Sequence, residues 1–365
     1  MCAFAGIPAA RFLSRQDTEQ RMKTLTLHGD AFAIGEQLGQ AGHSAWHQTL
    51  TATSLWRTVI ALKDSPEART MAAAVEQHYP LIWQELTGLA SGLQAPFDEV
   101  FAWNCRGDLV RSTSDGCTTL SGRDEQGRRL IAHNEDGFPQ LKDDCFIAQI
   151  FPEQGAAYLS FAYPGSLCGH TLAVNQYGVV NTVNNIRAAE RPAGIPRQVL
   201  ARDALNASDL DDAVARLTVP PRAGAFHHTL GCVGDPRLFT VEATGHQCSV
   251  SEITQPYGHA NHLVHPSQSQ AAQVITDSSA ARQQVIDAQL AGKPVLSEKL
   301  CVQVLSDTSE RSLPVYRQDA DDPDQENTLA SVVFVIDNQS VRWSLYRDNR
   351  QQPELSGNRV ADSLS

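Results

Sequence analysis

The chain has 365 residues, 42% hydrophobic and 19% charged, which allows one large domain or two smaller ones with an ordinary globular balance. Its net charge of −12 argues against nucleic acid and against an anionic membrane surface as partners. No apolar run is long enough to span a bilayer, and the N-terminus lacks the basic and apolar regions of a signal peptide. The eight Cys fall at 2, 105, 117, 145, 168, 232, 248 and 301, without CxxC pairs or tight spacing. Neither a zinc ribbon nor a disulfide framework is indicated, and a reducing cytoplasm fits best.

The first third reads as mainly helical. Leu25–His28 alternates as a strand does. Asp30 is placed to cap a helix over Ala31–Leu50, with Phe32, Ile34, Leu38 and Trp46 on one face. Ser65-Pro66-Glu67 supplies a capping hydroxyl, a first-turn Pro and an acid near the positive end, so a helix is expected to about Tyr79. Ile82, Leu86, Leu89 and Leu93 predict another, with Gly88 and Gly92 signalling close packing.

After Cys117 the texture turns to hairpins. Thr118–Gly122 and Arg128–Asn134 flank a turn sequence at 124–127. Phe146–Phe151 and Ala157–Ala162 read as strands. So do the pairs Leu172–Asn175 with Val179–Asn184, His228–Val233 with Leu238–Ala243, and Ser331–Ile336 with Val341–Tyr346. Helices are expected near 196–217, with Ser208 as a cap, and near 269–290. The tail beyond Arg347 is polar and is expected to fray. With no repeat or linker, the chain reads as a single α+β domain.

The chemistry centres on Gly116-Cys117, preceded by Asp115 and followed by Thr118 and Thr119. A thiol can attack the carbonyl that precedes it, and Gly lets the backbone distort at least cost. If that bond is cut, Cys117 gains a free α-amino group, which titrates near roughly 7.7–8.0 and can act as base for the thiol on the same residue. Asn134-Glu135-Asp136 ends the strand that would pair with the one begun by Cys117. A carboxylate there could hold the new amine, whereas Glu135 itself reads as a polar loop residue. Asn175 belongs to a hairpin. Asn181, Asn184 and Asn185 could line a pocket. His259-x-x-His262-x-x-His265 invites a metal reading, opposed by Pro266 and by the lack of a completing ligand. Asn261, beside His262, could donate to an oxyanion. Asn327, Thr328 and Ser331 could reach a site or only serve a turn.

Together these residues resemble the isopenicillin-N acyltransferase / carcinine hydrolase group of autoproteolytic cysteine peptidases, among the N-terminal-nucleophile (Ntn) hydrolases. The resemblance rests on Asp115-Gly116-Cys117-Thr118-Thr119, Asn134-x-Asp136, Asn175-x-x-Gly178, Asn261-His262 and Thr328-Leu-Ala-Ser331. The upstream Glu85-Leu-Thr-Gly88-Leu-Ala-Ser-Gly92 and Asn104-Cys-Arg106 join it, so that it spans roughly 31–346. It implies a four-layer αββα sandwich, cut into associated fragments 1–116 and 117–365. Cys117 would be the nucleophile, Asp136 would sit near its amine, and Asn261 would stabilise the oxyanion. Glu135 stands where relatives often carry an aromatic residue. The expected activity is that of an N-terminal-cysteine amidohydrolase or acyltransferase on a small acyl amide, such as a β-alanyl amine, or on an acyl thioester. The alternatives are an acyl-CoA-dependent N-acyltransferase using the same site, a non-catalytic scaffold, or a metal hydrolase using the three His. No cofactor is implied, and the oligomeric state is left open, a homo-oligomer included. Cys2, exposed by loss of Met1, is a rival nucleophile, but no hairpin ending in Asn-x-Asp follows it.

Overall fold

A computed structural model describes residues 21–110 and 116–360. Cys2 and Asp115 lie outside the described residues. The chain opens with strand β1 (Lys23–Gly29), followed by helices α1 (Ala31–Gln48), α2 (Ser54–Ile60), α3 (Pro66–His78), α4 (Pro80–Leu93), α5 (Phe97–Asn104) and α6 (Arg106–Leu109). The caps act as the sequence predicts. Asp30 Oδ1 accepts from the Ala33 amide at 2.8 Å, and Ser65 Oγ accepts from the Ala68 amide at 3.1 Å.

Next come β2 (Gly116–Arg123), β3 (Arg129–Gly137), β4 (Phe146–Pro152), β5 (Tyr158–Ala162), β6 (Leu172–Asn175) and β7 (Val179–Ile186). Helices α7 (Arg197–Asp203) and α8 (Leu210–Thr218) lead to β8 (Ala225–Cys232), β9 (Leu238–Ala243), β10 (Cys248–Glu252) and β11 (Tyr257–His259). Then follow α9 (Asp277–Leu290), α10 (Glu298–Leu305), β12 (Asn327–Ile336), β13 (Ser340–Tyr346) and β14 (Leu355–Val360). The β2–β3 turn is closed by Asp124 Oδ1, which accepts from the amides of Gln126 at 3.0 Å and Arg128 at 2.8 Å, with Gly127 at φ 75°.

Three expectations need correction. The cap of α8 is Asp209, whose side chain accepts from the Asp212 amide at 2.8 Å, not Ser208. The helix expected near 269–290 starts only at Asp277, capped by Thr276. The polar tail does not simply fray: Leu355–Val360 pairs with β13, because an open sheet edge satisfies the backbone groups of even a polar segment.

The strands form an eight-stranded sheet in the order β1-β4-β5-β6-β7-β8-β9-β10 and a six-stranded sheet in the order β11-β2-β3-β12-β13-β14. Among the described strands β1 and β4 pair parallel and the other pairs are antiparallel. The fold is therefore α+β. The sheets touch where β2 meets β7 and β3 meets β8. On the other face of the six-stranded sheet, Leu120, Ala132 and Val333 pack with Ile286 of α9 and Cys301 and Val304 of α10. On the eight-stranded sheet, Val179, Leu230 and Val241 pack with Leu210, Ala213 and Leu217 of α8. Among the described residues no helix is long and apolar enough to cross a membrane.

The segment before Gly116 is stitched into the segment after it. β1 lies along β4, Asn104 accepts from the Leu167 amide at 2.8 Å and donates to the Gly165 carbonyl at 3.0 Å, and Arg202 pairs with buried Glu85 at 2.9 Å. Helices α1 and α4 cross so closely that a Cβ on Gly35 would sit 1.9 Å from the Glu85 carbonyl oxygen, and one on Gly92 would sit 2.0 Å from the Glu36 carbonyl oxygen. Backbone cannot move aside as a side chain can. Gly92→Ala should therefore cost about 2 kcal/mol through forced separation of the helices, read as a fall in the urea midpoint at unchanged slope.

Candidate active site

Pairing of β2 with β3 sets Gly116 opposite Asp136, Cys117 opposite Glu135 and Thr119 opposite His133. Side chains alternate along a strand, so Cys117, Thr119, His133 and Glu135 share the face turned toward the other sheet. Thr118 and Asn134 face the helices instead. Cys117 is only 3% exposed. Its Sγ lies 3.9 Å from Glu135 Oε2, and its backbone N–H donates to Asn261 Oδ1 at 2.9 Å.

Asn261 follows β11, the edge neighbour of β2, which brings it level with the start of that strand. Its Nδ2 donates to the Asn185 carbonyl at 3.1 Å, which leaves the amide's second hydrogen for another acceptor. Arg282 of α9 is fully enclosed. It donates to the Cys117 carbonyl at 2.5 Å, to Thr118 Oγ1 at 3.0 Å and to Asn261 Oδ1 at 2.6 Å. Burial lowers the guanidinium from its ordinary value, and the Asp136 carboxylate pulls the other way. One cation thus clamps the Cys117 carbonyl and the Asn that holds the Cys117 nitrogen.

A hydrogen-bond chain runs from this face into the second sheet. Thr119 Oγ1 donates to Asn184 Oδ1 on β7 at 2.7 Å and meets His133 Nδ1 at 2.8 Å. Asn184 Nδ2 donates to the His259 carbonyl at 3.0 Å, and its oxygen also meets His227 Nδ1 at 3.0 Å. Burial pushes the His133 imidazole down to about 3 and His227 well below its usual value, so both rings are neutral at physiological pH. Tyr163 donates to Glu135 Oε1 at 2.8 Å, and His133 Nε2 lies 3.1 Å from Glu135 Oε2.

Behind Gly116 lies a charged nest. Asp136 Oδ1 accepts from Thr328 Oγ1 at 2.7 Å, while its buried Oδ2 has no hydrogen-bond partner among the described residues. Arg317 donates to Glu326 Oε2 at 2.6 Å, and a Cβ on Gly116 would sit 2.3 Å from that same oxygen. Only Gly fits here. Burial pushes the Glu326 carboxyl up to about 8, against the pull of Arg317 and Arg187.

The other candidates fall elsewhere. Asn134 donates to the carbonyls of Leu305 and Val315 at 2.9 and 3.2 Å and accepts from Ser331, which buttresses the helix side of the sheet. Asn175 closes its own hairpin and holds the Leu205 carbonyl at 3.0 Å. Asn181 contacts His228, and Asn185 accepts from Arg197 at 2.6 Å. The three spaced His do not gather as one ligand set. His259 Nε2 and His265 Nδ1 both border Glu242, at 3.0 and 3.9 Å, and His265 also meets Thr240 at 3.0 Å and Ser249 at 2.9 Å, whereas His262 Nδ1 turns away to Ser279 at 2.8 Å. Among the described residues, the side chains that do gather at metal-ligand spacing are Cys117, His133 and Glu135, within 4.8 Å of one another.

His133, Tyr163 and Arg282 are site neighbours that the sequence does not single out, and Glu135, expected as a polar loop residue, lies inside β3 beside Cys117. A period-two count along β3 from Glu135, the strand partner of Cys117, is the signal that would find His133 on the same face. Nothing local flagged Arg282, which arrives from a helix distant in sequence.

The family model described as "Acyl-coenzyme A:6-aminopenicillanic acid acyl-transferase" matches residues 123–352, a span that holds Asp136 and Asn261 and begins just after Cys117. The chain is also similar to the beta-alanyl-dopamine/carcinine hydrolase of Drosophila melanogaster, 24% identical over 375 residues, covering 92% of this chain and 95% of that protein. With well over half of its length matched, this chain belongs to the acyl-coenzyme A:6-aminopenicillanic acid acyl-transferase family.

Proposed function

We propose that this chain is an autoprocessed amide hydrolase or acyltransferase whose nucleophile is Cys117, freed as a chain terminus by cleavage of the Gly116–Cys117 bond. The observation that carries the reading is Cys117 at the start of β2, its nitrogen held by Asn261 and its thiol turned into the space between the sheets. The family and the hydrolase relative support the reaction class. The helices packed on the outer faces of two touching sheets support the four-layer αββα sandwich.

In this reading the α-amino nitrogen of Cys117 takes the thiol proton, and the thiolate attacks the substrate carbonyl. The second hydrogen of Asn261 Nδ2 serves the oxyanion. The departing amine collects the proton, leaving an acyl group on Cys117, which water or an acceptor amine then removes. The open Oδ2 of Asp136, which stands opposite Gly116 across the β2–β3 pair, suits an ammonium. The protein is a single domain in two pieces, 1–116 and 117–365, held together by the β1–β4 pairing and the Glu85–Arg202 pair. β-Alanyl amines are the first substrates to try, given the relative's name. The family's printed description favours a second reading, transfer from an acyl-CoA to an amine. A cytoplasmic setting suits the free thiols of the described cysteines.

A denaturing gel should show two fragments, the heavier one beginning at Cys117, and Cys117→Ala should yield one uncut chain. An intact wild-type chain with full activity would sink the proposal. The base works unprotonated, so kcat/KM should rise with pH through about 8 and then level, and Asp136 shifts that midpoint upward. Asn261→Ala should lower kcat by about 100- to 1,000-fold in the release of β-alanine from β-alanyl amines.

A further inference from the structure

The mature base does not exist when it is first needed. Before cleavage the nitrogen of Cys117 is a peptide nitrogen, which is no base, yet the thiol must lose its proton to attack Gly116. This inference rests on the proposed function. We propose that Glu135, backed by His133, is the base of the first, self-cleaving reaction.

The geometry supplies the relay. Glu135 Oε2 lies 3.9 Å from Cys117 Sγ and 3.1 Å from His133 Nε2. The ring's tautomer follows from its neighbours. Asn184 Nδ2 donates to the His259 carbonyl, so Asn184 Oδ1 is an acceptor. Thr119 gives its one hydroxyl hydrogen to that oxygen and must therefore accept from His133 Nδ1–H. A neutral ring protonated at Nδ1 turns a bare lone pair on Nε2 toward Glu135. An ionised Glu135 oxygen then faces a second acceptor. That repulsion disappears when Oε2 takes a proton and donates it to Nε2. The arrangement thus gives the proton a place at Oε2, the carboxylate atom nearest the thiol, with Nε2 ready to accept from it. Tyr163 donates to the other carboxylate oxygen and fixes the plane of the group.

The proton of Sγ moves to Glu135 Oε2. Sγ bonds to the Gly116 carbonyl carbon, and the bond from that carbon to the Cys117 nitrogen breaks. The proton on Glu135 passes to the departing nitrogen, which becomes the free α-amine. Water then adds to the thioester carbonyl, releases the Gly116 carboxylate and returns a proton to Sγ.

The test uses the full chain, purified quickly and followed by gel. The new terminus is counted by its condensation with an aldehyde, which only an N-terminal Cys undergoes as a thiazolidine. Glu135→Gln keeps the shape and should slow cleavage by about 100-fold, while slowing turnover per cleaved centre far less. Glu135→Asp should recover part of the rate. His133→Asn keeps the carboxylate, removes the opposing lone pair, and should slow cleavage by about tenfold; it carries the test if Glu135→Gln does not fold. Cleavage of Glu135→Gln at the wild-type rate would overturn this proposal and leave the proposed function standing. So would equal losses in cleavage and turnover, or wild-type cleavage stopped by a chelator, which would mean that a metal organises the cluster. A wild-type chain that never cuts would overturn the proposed function first.

Discussion

The register between β2 and β3 is the constraint on which the site depends. Because side chains alternate, the pairing of Cys117 with Glu135 decides which groups meet the thiol and which support the sheet from behind. A slip of one residue would send Cys117 toward α9 and α10 and bring Thr118 forward. Both faces are buried, so hydrophobic alternation alone does not settle the register. The hairpin at Asp124–Gly127 fixes one end, and Asn134, bound to Ser331 and to two carbonyls on the helix side, fixes the other.

Enclosed arginines compensate for the polarity that this register buries. Arg282 spans Cys117, Thr118 and Asn261, and Arg317 joins Glu326 and Asp322 beneath Gly116. A buried charge stays only where its partners repay its lost hydration. Arg282 contacts two backbone or side-chain oxygens of β2 and the Asn after β11, so it ties helix α9 to the strand that carries Cys117. The neutral imidazoles of His133 and His227 follow the same economy in reverse: deep burial removes their charge, and hydroxyl and amide groups satisfy them instead.

Much of this was legible in the sequence, for local reasons. Asp30 and Ser65 announced their helices because capping needs only the next turn. Asp124 to Gly127 announced the hairpin that carries Asp136 back to the start of β2. The family was legible because its landmarks keep their order along the chain. Other features depend on partners far away in sequence. Glu135 looked like a loop acid because a carboxylate inside a strand is unusual; it becomes intelligible once His133 and Tyr163 stand beside it. The three spaced His invited a ligand reading in one dimension, yet in space His259 and His265 turn to β9 while His262 turns to α9. Leu355–Val360 is polar and gave no strand signal, and the open edge of β13 makes it one.

The parallel pairing of β1 with β4 has a consequence for the life of the protein. It joins the segment before Gly116 to the segment after it by backbone hydrogen bonds, Asn104 and the Glu85–Arg202 pair, rather than by the peptide link alone. An uncut chain that unfolds keeps its two segments tethered at high effective concentration. A cut one, once unfolded, releases two molecules that must find each other in solution, so its recovery depends on protein concentration. On the proposed reading, cleavage inside the folded state would act as a one-way valve: it would free the Cys117 nitrogen and give up easy return from the unfolded state.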